Sequence, residues 1–150
     1  ELYEKNISTV SFLLQAANSI SNDDIKLTER LYIPQSRLRG FANGKIGPKD
    51  GTDFIGGNFV SAINFSSTLP QFLENAQDID VLLFFDAARI WGVDYDSSLD
   101  NNPSKIRSSV GVGIDWFTVL GPLNFSLSLP LSKDTKDETE SFRFNLGTTF

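Results

Sequence analysis

The most regular feature of the chain is a period of two in its hydrophobic positions near the C-terminus. Phe142, Phe144, Leu146, Thr148 and Phe150 share one face, and Arg143, Asn145, Gly147 and Thr149 share the other. The same alternation recurs in Val110, Val112, Ile114 and Trp116 against Ser109, Gly111, Gly113 and Asp115. It returns in Leu123, Phe125, Leu127 and Leu129 against Asn124, Ser126 and Ser128. These segments predict strands of one design, with a greasy face and a face of small or polar side chains. Further strands are predicted over 7–17, 58–69 and 80–91, the last carrying apolar residues on both faces. The pattern therefore predicts an all-β antiparallel chain of about six strands.

Alternation of this kind suits either the solvent face of a sandwich or the wet lumen of a transmembrane barrel. Walking the hairpins up and down puts Trp91 on one rim and Trp116, Phe117 and Phe150 on the opposite rim, as two interfacial girdles would require. Ordinary core aromatics would give the same spacing, so this point alone leaves both settings open. The connections also differ in kind. The turn through Leu120-Gly121-Pro122 is tight, whereas 94–105 and 133–140 are long, polar and charged, the outer-membrane arrangement of short turns on one side and long loops on the other. The connection 18–57 far exceeds the ~12–15 residues usual for a loop without structure of its own, which marks it as functional.

Composition narrows the chemistry. Phe occurs 13 times, Met and Cys are absent, and the strand-favouring balance of residues agrees with the alternation. A net charge of −6 with no clustered basic face argues against a nucleic-acid partner. Without Cys there is no disulfide framework or thiolate metal site, and without His the usual general base and the commonest zinc ligand are missing, so most familiar catalytic constellations are excluded and no cofactor or metal is expected. The longest apolar run is Val81-Leu82-Leu83-Phe84-Phe85, well short of the roughly 20 residues of a spanning helix, so any membrane span must be β. The chain opens at Glu1 with neither initiator Met nor leader, which favours a fragment of a longer protein.

Three local patterns come near known binding motifs and fall short of them. The glycines from Gly40 to Lys45 fall one residue short of a phosphate loop and lack the following hydroxyl. Asp94, Asp96, Ser98 and Asp100 alternate like a calcium loop but continue with Leu99 and Lys105 where Gly and Glu are needed. Lys133 to Glu140 balances both signs and reads as a hairpin tip rather than a binding site.

More specific is an ordered set: Leu38-Arg39-Gly40-Phe41, then Ile46-Gly47-Pro48, then Asp53 to Asn58 leading into a strand. Phe84-Phe85-Asp86, Ser109 to Trp116, Gly121-Pro122-Leu123 and a terminal Phe150 follow. In this order and spacing the set resembles the C-terminal half of the BamA family, from about Ile7 to Phe150. The resemblance implies an antiparallel transmembrane β-barrel of the bacterial outer membrane with 16 strands. This chain would supply about the last six, as a C-terminal barrel part (surface antigen domain) over 1–150 with a lumen-inserting loop at about 18–57. It further implies that Arg39 of the Arg-Gly-Phe motif meets an acidic group on the inner wall, for which Asp86 is the matching position.

Asn64 stands where the family often carries Glu, and could accept a hydrogen bond without neutralising a charge. Ala88 stands where Gly is usual, and the long loop is shorter than in well-known members. Phe142, Phe144, Leu146 and Phe150 would form one lip of the barrel seam and the C-terminal signal by which barrel precursors are recognised. The function so implied is a non-enzymatic outer-membrane protein assembly factor, which inserts and folds β-barrel proteins. Its partners would be unfolded barrel clients, lipoproteins of the assembly complex and the lipid bilayer. Two other functions stay open at this level, a related two-partner-secretion transporter and a soluble β-sandwich binding module. Because about six strands cannot close around a lumen holding a loop, the isolated piece is expected to self-associate through its strand edges.

Overall fold

The structure, a computed structural model, describes residues 6–20, 23–69, 78–93, 105–119 and 121–146. Phe150 and the alternating acidic residues Asp94 to Asp100 lie outside them. Six strands make one antiparallel sheet: β1 (Ser8–Ala16), β4 (Phe59–Thr68), β5 (Ile79–Trp91), β6 (Arg107–Thr118), β7 (Gly121–Ser132) and β8 (Phe142–Leu146), in that order across the sheet. Between β1 and β4 the long connection carries a two-residue pair, β2 (Lys49–Asp50) with β3 (Asp53–Phe54), and two 3-10 turns, Leu27–Glu29 and Gln35–Arg37. No longer helix occurs among the described residues. Strands β1 and β4 to β7 run 9 to 13 residues, about the length at which a tilted strand crosses a bilayer.

The register brings Trp91 opposite Phe59 at one end of the sheet and Trp116 opposite Ile79 and Leu123 at the other. Segments 17–58, 92–106 and 133–141 all leave the Trp91 end, and the tight β6–β7 turn lies at the Trp116 end.

Alternation divides the sheet into two unlike faces. Outward stand Phe12, Phe65, Phe85, Val112, Ile114, Leu127 and Phe144, each more than a third exposed. Among the described residues no second sheet packs on this face. Phe125 and Phe144 instead touch each other across β7 and β8, ring centroids 5.1 Å apart. A soluble sandwich would have covered these side chains. The inward face carries Asn64, Asp86, Ser109, Asn124, Ser126, Ser128 and Arg143, all buried. β5 departs from the polar-in rule because its inward Phe84, Ala88 and Ile90 are covered by the long connection.

The sheet is not closed. β1 pairs only with β4 and β8 only with β7 among the described residues, so each outer strand keeps a row of unpaired backbone groups on its far edge. Inward glycines make room for what covers the wall. A Cβ on Gly111 would collide with the Phe84 ring and with the carbonyl oxygen of Leu127, and the latter is backbone and cannot move aside. Gly111→Ala is therefore expected to lower the stability of the full-length protein by about 1–3 kcal/mol. Its midpoint of urea unfolding in detergent or lipid should fall while the slope is kept.

Candidate functional site

The connection between β1 and β4 folds back onto the inward face. It is tied at its base by paired backbone bonds between Leu31 and Gly57, both 2.9 Å, and Ile55 N–H donates to the Pro48 carbonyl at 3.1 Å beside the β2–β3 pair. Ile33, Leu38, Phe41 and Ile46 then pack on Val60, Ala62, Ala88 and Ile90 of β4 and β5 in one buried cluster. Burying these side chains is the main drive for docking, at about 25 cal/mol per Å2 of apolar surface removed from water. Two glycines permit the close approach. Gly47 has φ +105° and a Cβ there would stand 2.7 Å from Cγ2 of Ile90, and Gly40 has φ +90° with Ser128 Cβ 3.0 Å away.

Within this docked segment Arg39 makes a two-point contact with Asp86 on β5. Its Nε donates to Oδ2 at 2.7 Å, its Nη2 to Oδ1 at 2.8 Å, and its backbone N–H adds a third bond to Oδ2 at 3.0 Å. The guanidinium also lies over the Phe84 ring, 3.6 Å from the centroid, and Ser109 Oγ donates to the Arg39 carbonyl. Both side chains are withdrawn from solvent, 6% and 0% exposed. Stripping two charges of water costs several kcal/mol per ion, and only close geometry with every oxygen satisfied offsets it. Asp86 meets that condition, because Asn64 Nδ2 supplies a further donor to Oδ1 at 2.8 Å.

Asn64, the other wall residue expected beside Arg39, stands one step behind, against Asp86 and Arg37. It donates to Asp86 and to the Arg37 carbonyl, and accepts from Arg37 Nη1 at 3.3 Å; Arg37 Nη1 also reaches Ser11 Oγ at 2.8 Å. An amide can do this because it both donates and accepts, where a Glu could only accept.

The charged segment 133–140 differs from a plain hairpin tip. Its backbone runs antiparallel to the loop motif: Ala42 N–H donates to Glu138 O, Glu138 N–H to Lys45 O and Glu140 N–H to Gly40 O, at 3.0, 3.0 and 3.1 Å. Asp137 turns inward to Arg107 of β6 in another two-point pair, 2.9 and 3.1 Å, with side chains 3% and 1% exposed. From β8, Arg143 donates to the Phe41 and Gln35 carbonyls and to Glu140. The motif is thus gripped from β5, from β6 through the strap 133–140, and from β8. Charge balance in the sequence concealed this. The signal that could have revealed it is that Arg107 and Arg143 occupy inward positions in alternating strands, where a cation needs a partner.

Phe142, Phe144 and Leu146 project outward from β8 and do not touch this site; they line the sheet's open edge.

Residues 4–150 match the Omp85 superfamily domain. The chain is 30% identical over 142 residues to the outer membrane protein assembly factor BamA of Neisseria meningitidis serogroup B, covering 75% of this chain and 17% of that protein. It is 26% identical to the BamA of Neorickettsia risticii, covering 95% of this chain and 20% of the relative. It is 25% identical to a SAM50-like protein of Schizosaccharomyces pombe, covering 95% and 31%. The crystal structure of BamA from Haemophilus ducreyi lacking POTRA domains 1-3 matches with a TM-score of 0.81 at 28% identity, over 93% of this chain and 31% of that one. The chain therefore spans less than a third of the length of each of these relatives.

Removing either member of the Arg39–Asp86 pair strands the other charge in a dry site, so Asp86→Ala should destabilise loop docking by about 3–5 kcal/mol. The double substitution Arg39→Ala with Asp86→Ala should be far less harmful than the sum of the two, a coupling read from urea unfolding of all four proteins. Asp137→Ala should speed amide hydrogen exchange at Ala42, Glu138 and Glu140 while the core of β5 and β6 stays protected.

Proposed function

The chain belongs to the Omp85 superfamily, and from that premise we propose that it forms the C-terminal part of the barrel of a BamA-type outer-membrane protein assembly factor. In this reading the loop at about 18–57 occupies the barrel lumen, and Arg39, Gly40, Phe41, Ile46, Gly47 and Pro48 are the parts that dock it. The setting is the bacterial outer membrane, with the Phe-rich outward face against lipid. The clients are unfolded outer-membrane β-barrel proteins, and lipoproteins of the assembly complex are its standing partners.

The observation that carries this reading is the two-point Arg39–Asp86 contact on the inner wall of a sheet whose outer face is predominantly apolar and uncovered. A loop fastened this way stiffens the wall from inside, and a stiff wall holds the edge of β8 in register. In lipid an unpaired strand edge is intolerable, because no water satisfies its N–H and C=O groups. An edge presented by Phe142, Arg143, Phe144, Asn145 and Leu146 offers those bonds to a client strand before the client closes on itself. The apolar residues of β8 face lipid as the client's would, so the nascent hairpin keeps its greasy side in the bilayer while it pairs.

Arg39→Ala and Arg39→Lys in the full-length protein should each slow assembly of barrel clients by about tenfold or more; tenfold corresponds to ~1.4 kcal/mol, well within what breaking the pair costs. Lysine keeps the charge but cannot reproduce the planar two-point contact. Client folding into the outer membrane, scored by heat-dependent gel migration, measures this. Unaltered rates in both variants would remove the loop from the function.

A further inference from the structure

Alternation sends one set of side chains from the six strands of the sheet toward the bilayer, and among the described residues that outward set holds a single charge, Arg89. The register fixes its surroundings. Leu14, Ser61 and Arg89 lie side by side across β1, β4 and β5, and Phe12, Ile63 and Ala87 form the adjoining outward row. Ser61 and Ala87 are small where their neighbours are large, and the surface dips there into a groove of about 550 Å3 bordered by Phe12, Leu14 and Ile106. Arg89 sits at this groove, two residues from the end of β5, with its guanidinium 4.6 Å from the centroid of the Trp91 ring.

A cation on the lipid side of a barrel is unfavourable at the bilayer midplane and tolerated near the interface. Trp91 marks that interface, and stacking on its ring draws the long Arg89 side chain toward the headgroups. There a guanidinium meets phosphate, whose paired oxygens match its fork of N–H donors. A groove with a floor of small side chains and apolar walls, beside a cation at headgroup level, has the shape and charge to take one lipid molecule, chain and head together.

We propose that Arg89 and the groove floored by Ser61 and Ala87 bind one phosphate-bearing anionic lipid of the leaflet at the long-loop end, its acyl chain in the groove and its phosphate on Arg89. The inference rests on the membrane-spanning reading of the strands and not on the assembly role. Lipid retention is read without any client, so failure of the Arg39 experiment leaves it standing and its own failure leaves the assembly reading standing.

The test takes the full-length protein from vesicles of phosphatidylglycerol and phosphatidylcholine in equal amounts, verifies the inserted fold by heat-dependent gel migration, and identifies retained lipid by native mass spectrometry. The unaltered protein should retain phosphatidylglycerol in preference. Arg89→Gln should reduce that preference about fivefold, the usual effect of one cation at an anionic surface, and Arg89→Lys should keep part of it. Ala87→Leu, which fills the groove and leaves the guanidinium, should release the lipid as well. Equal retention of the two lipids by the unaltered protein would overturn the proposal. So would Arg89→Gln or Ala87→Leu retaining phosphatidylglycerol as the unaltered protein does.

Discussion

A guanidinium shut away from water needs a carboxylate in place of its hydration shell, and the inner wall of this sheet is organised around that requirement. Arg39 reaches Asp86 with two donors and its own backbone N–H, and Asn64 fills the oxygen position that Arg39 leaves over. Because an isolated buried charge is so unfavourable, the loop is held where both charges are compensated. The apolar cluster of Leu38, Phe41 and Ile46 on Val60, Ala88 and Ile90 supplies the bulk of the attraction, and the ion pair supplies the register. Without the pair, a greasy segment could slide along a greasy wall at little cost.

The other inward cations follow the same rule. Arg107 takes Asp137 and Arg143 takes backbone carbonyls with Glu140, so each inward Arg of β6 and β8 is spent on fastening a connection rather than facing solvent. Small wall residues make this possible. Ser109 and Ser128 stand where larger side chains would hold Gly40 and its neighbours off the sheet, and Gly111 leaves space for the Phe84 ring on which Arg39 rests. The two faces therefore divide the labour: outward positions are mostly apolar, with Arg89 as their one charge among the described strand residues, and inward positions are small or polar except where β4 and β5 receive the apolar side of the loop. The free edges of β1 and β8 are the remaining reactive feature, since their backbone groups have no partner within the described sheet.

The six strands of the sheet were legible as strands, and the sidedness of β6, β7 and β8 was legible in the alternation of Val110 to Trp116, Leu123 to Leu129 and Phe142 to Leu146. A period of two leaves only one way to present a face to lipid or to a core. β5 was legible as a strand but not as to face, because its inner apolar residues meet a loop more than thirty residues upstream, and periodicity carries no information about such partners. Arg39 and Asp86 could be paired only through the resemblance to known barrels, as an Arg-Gly-Phe tripeptide has no local signature of its own. The strap 133–140 was opaque for a related reason: alternating charges look alike whether solvated or paired, and only the fold brings Asp137 to Arg107. By itself, then, the order of residues determined the strands and which side of most of them is apolar, because both are local consequences of backbone geometry and hydrophobicity. Which charges are compensated, and which connections lie against the wall, was decided by tertiary structure alone, because those contacts join residues far apart in the chain, brought together only when the strands have paired.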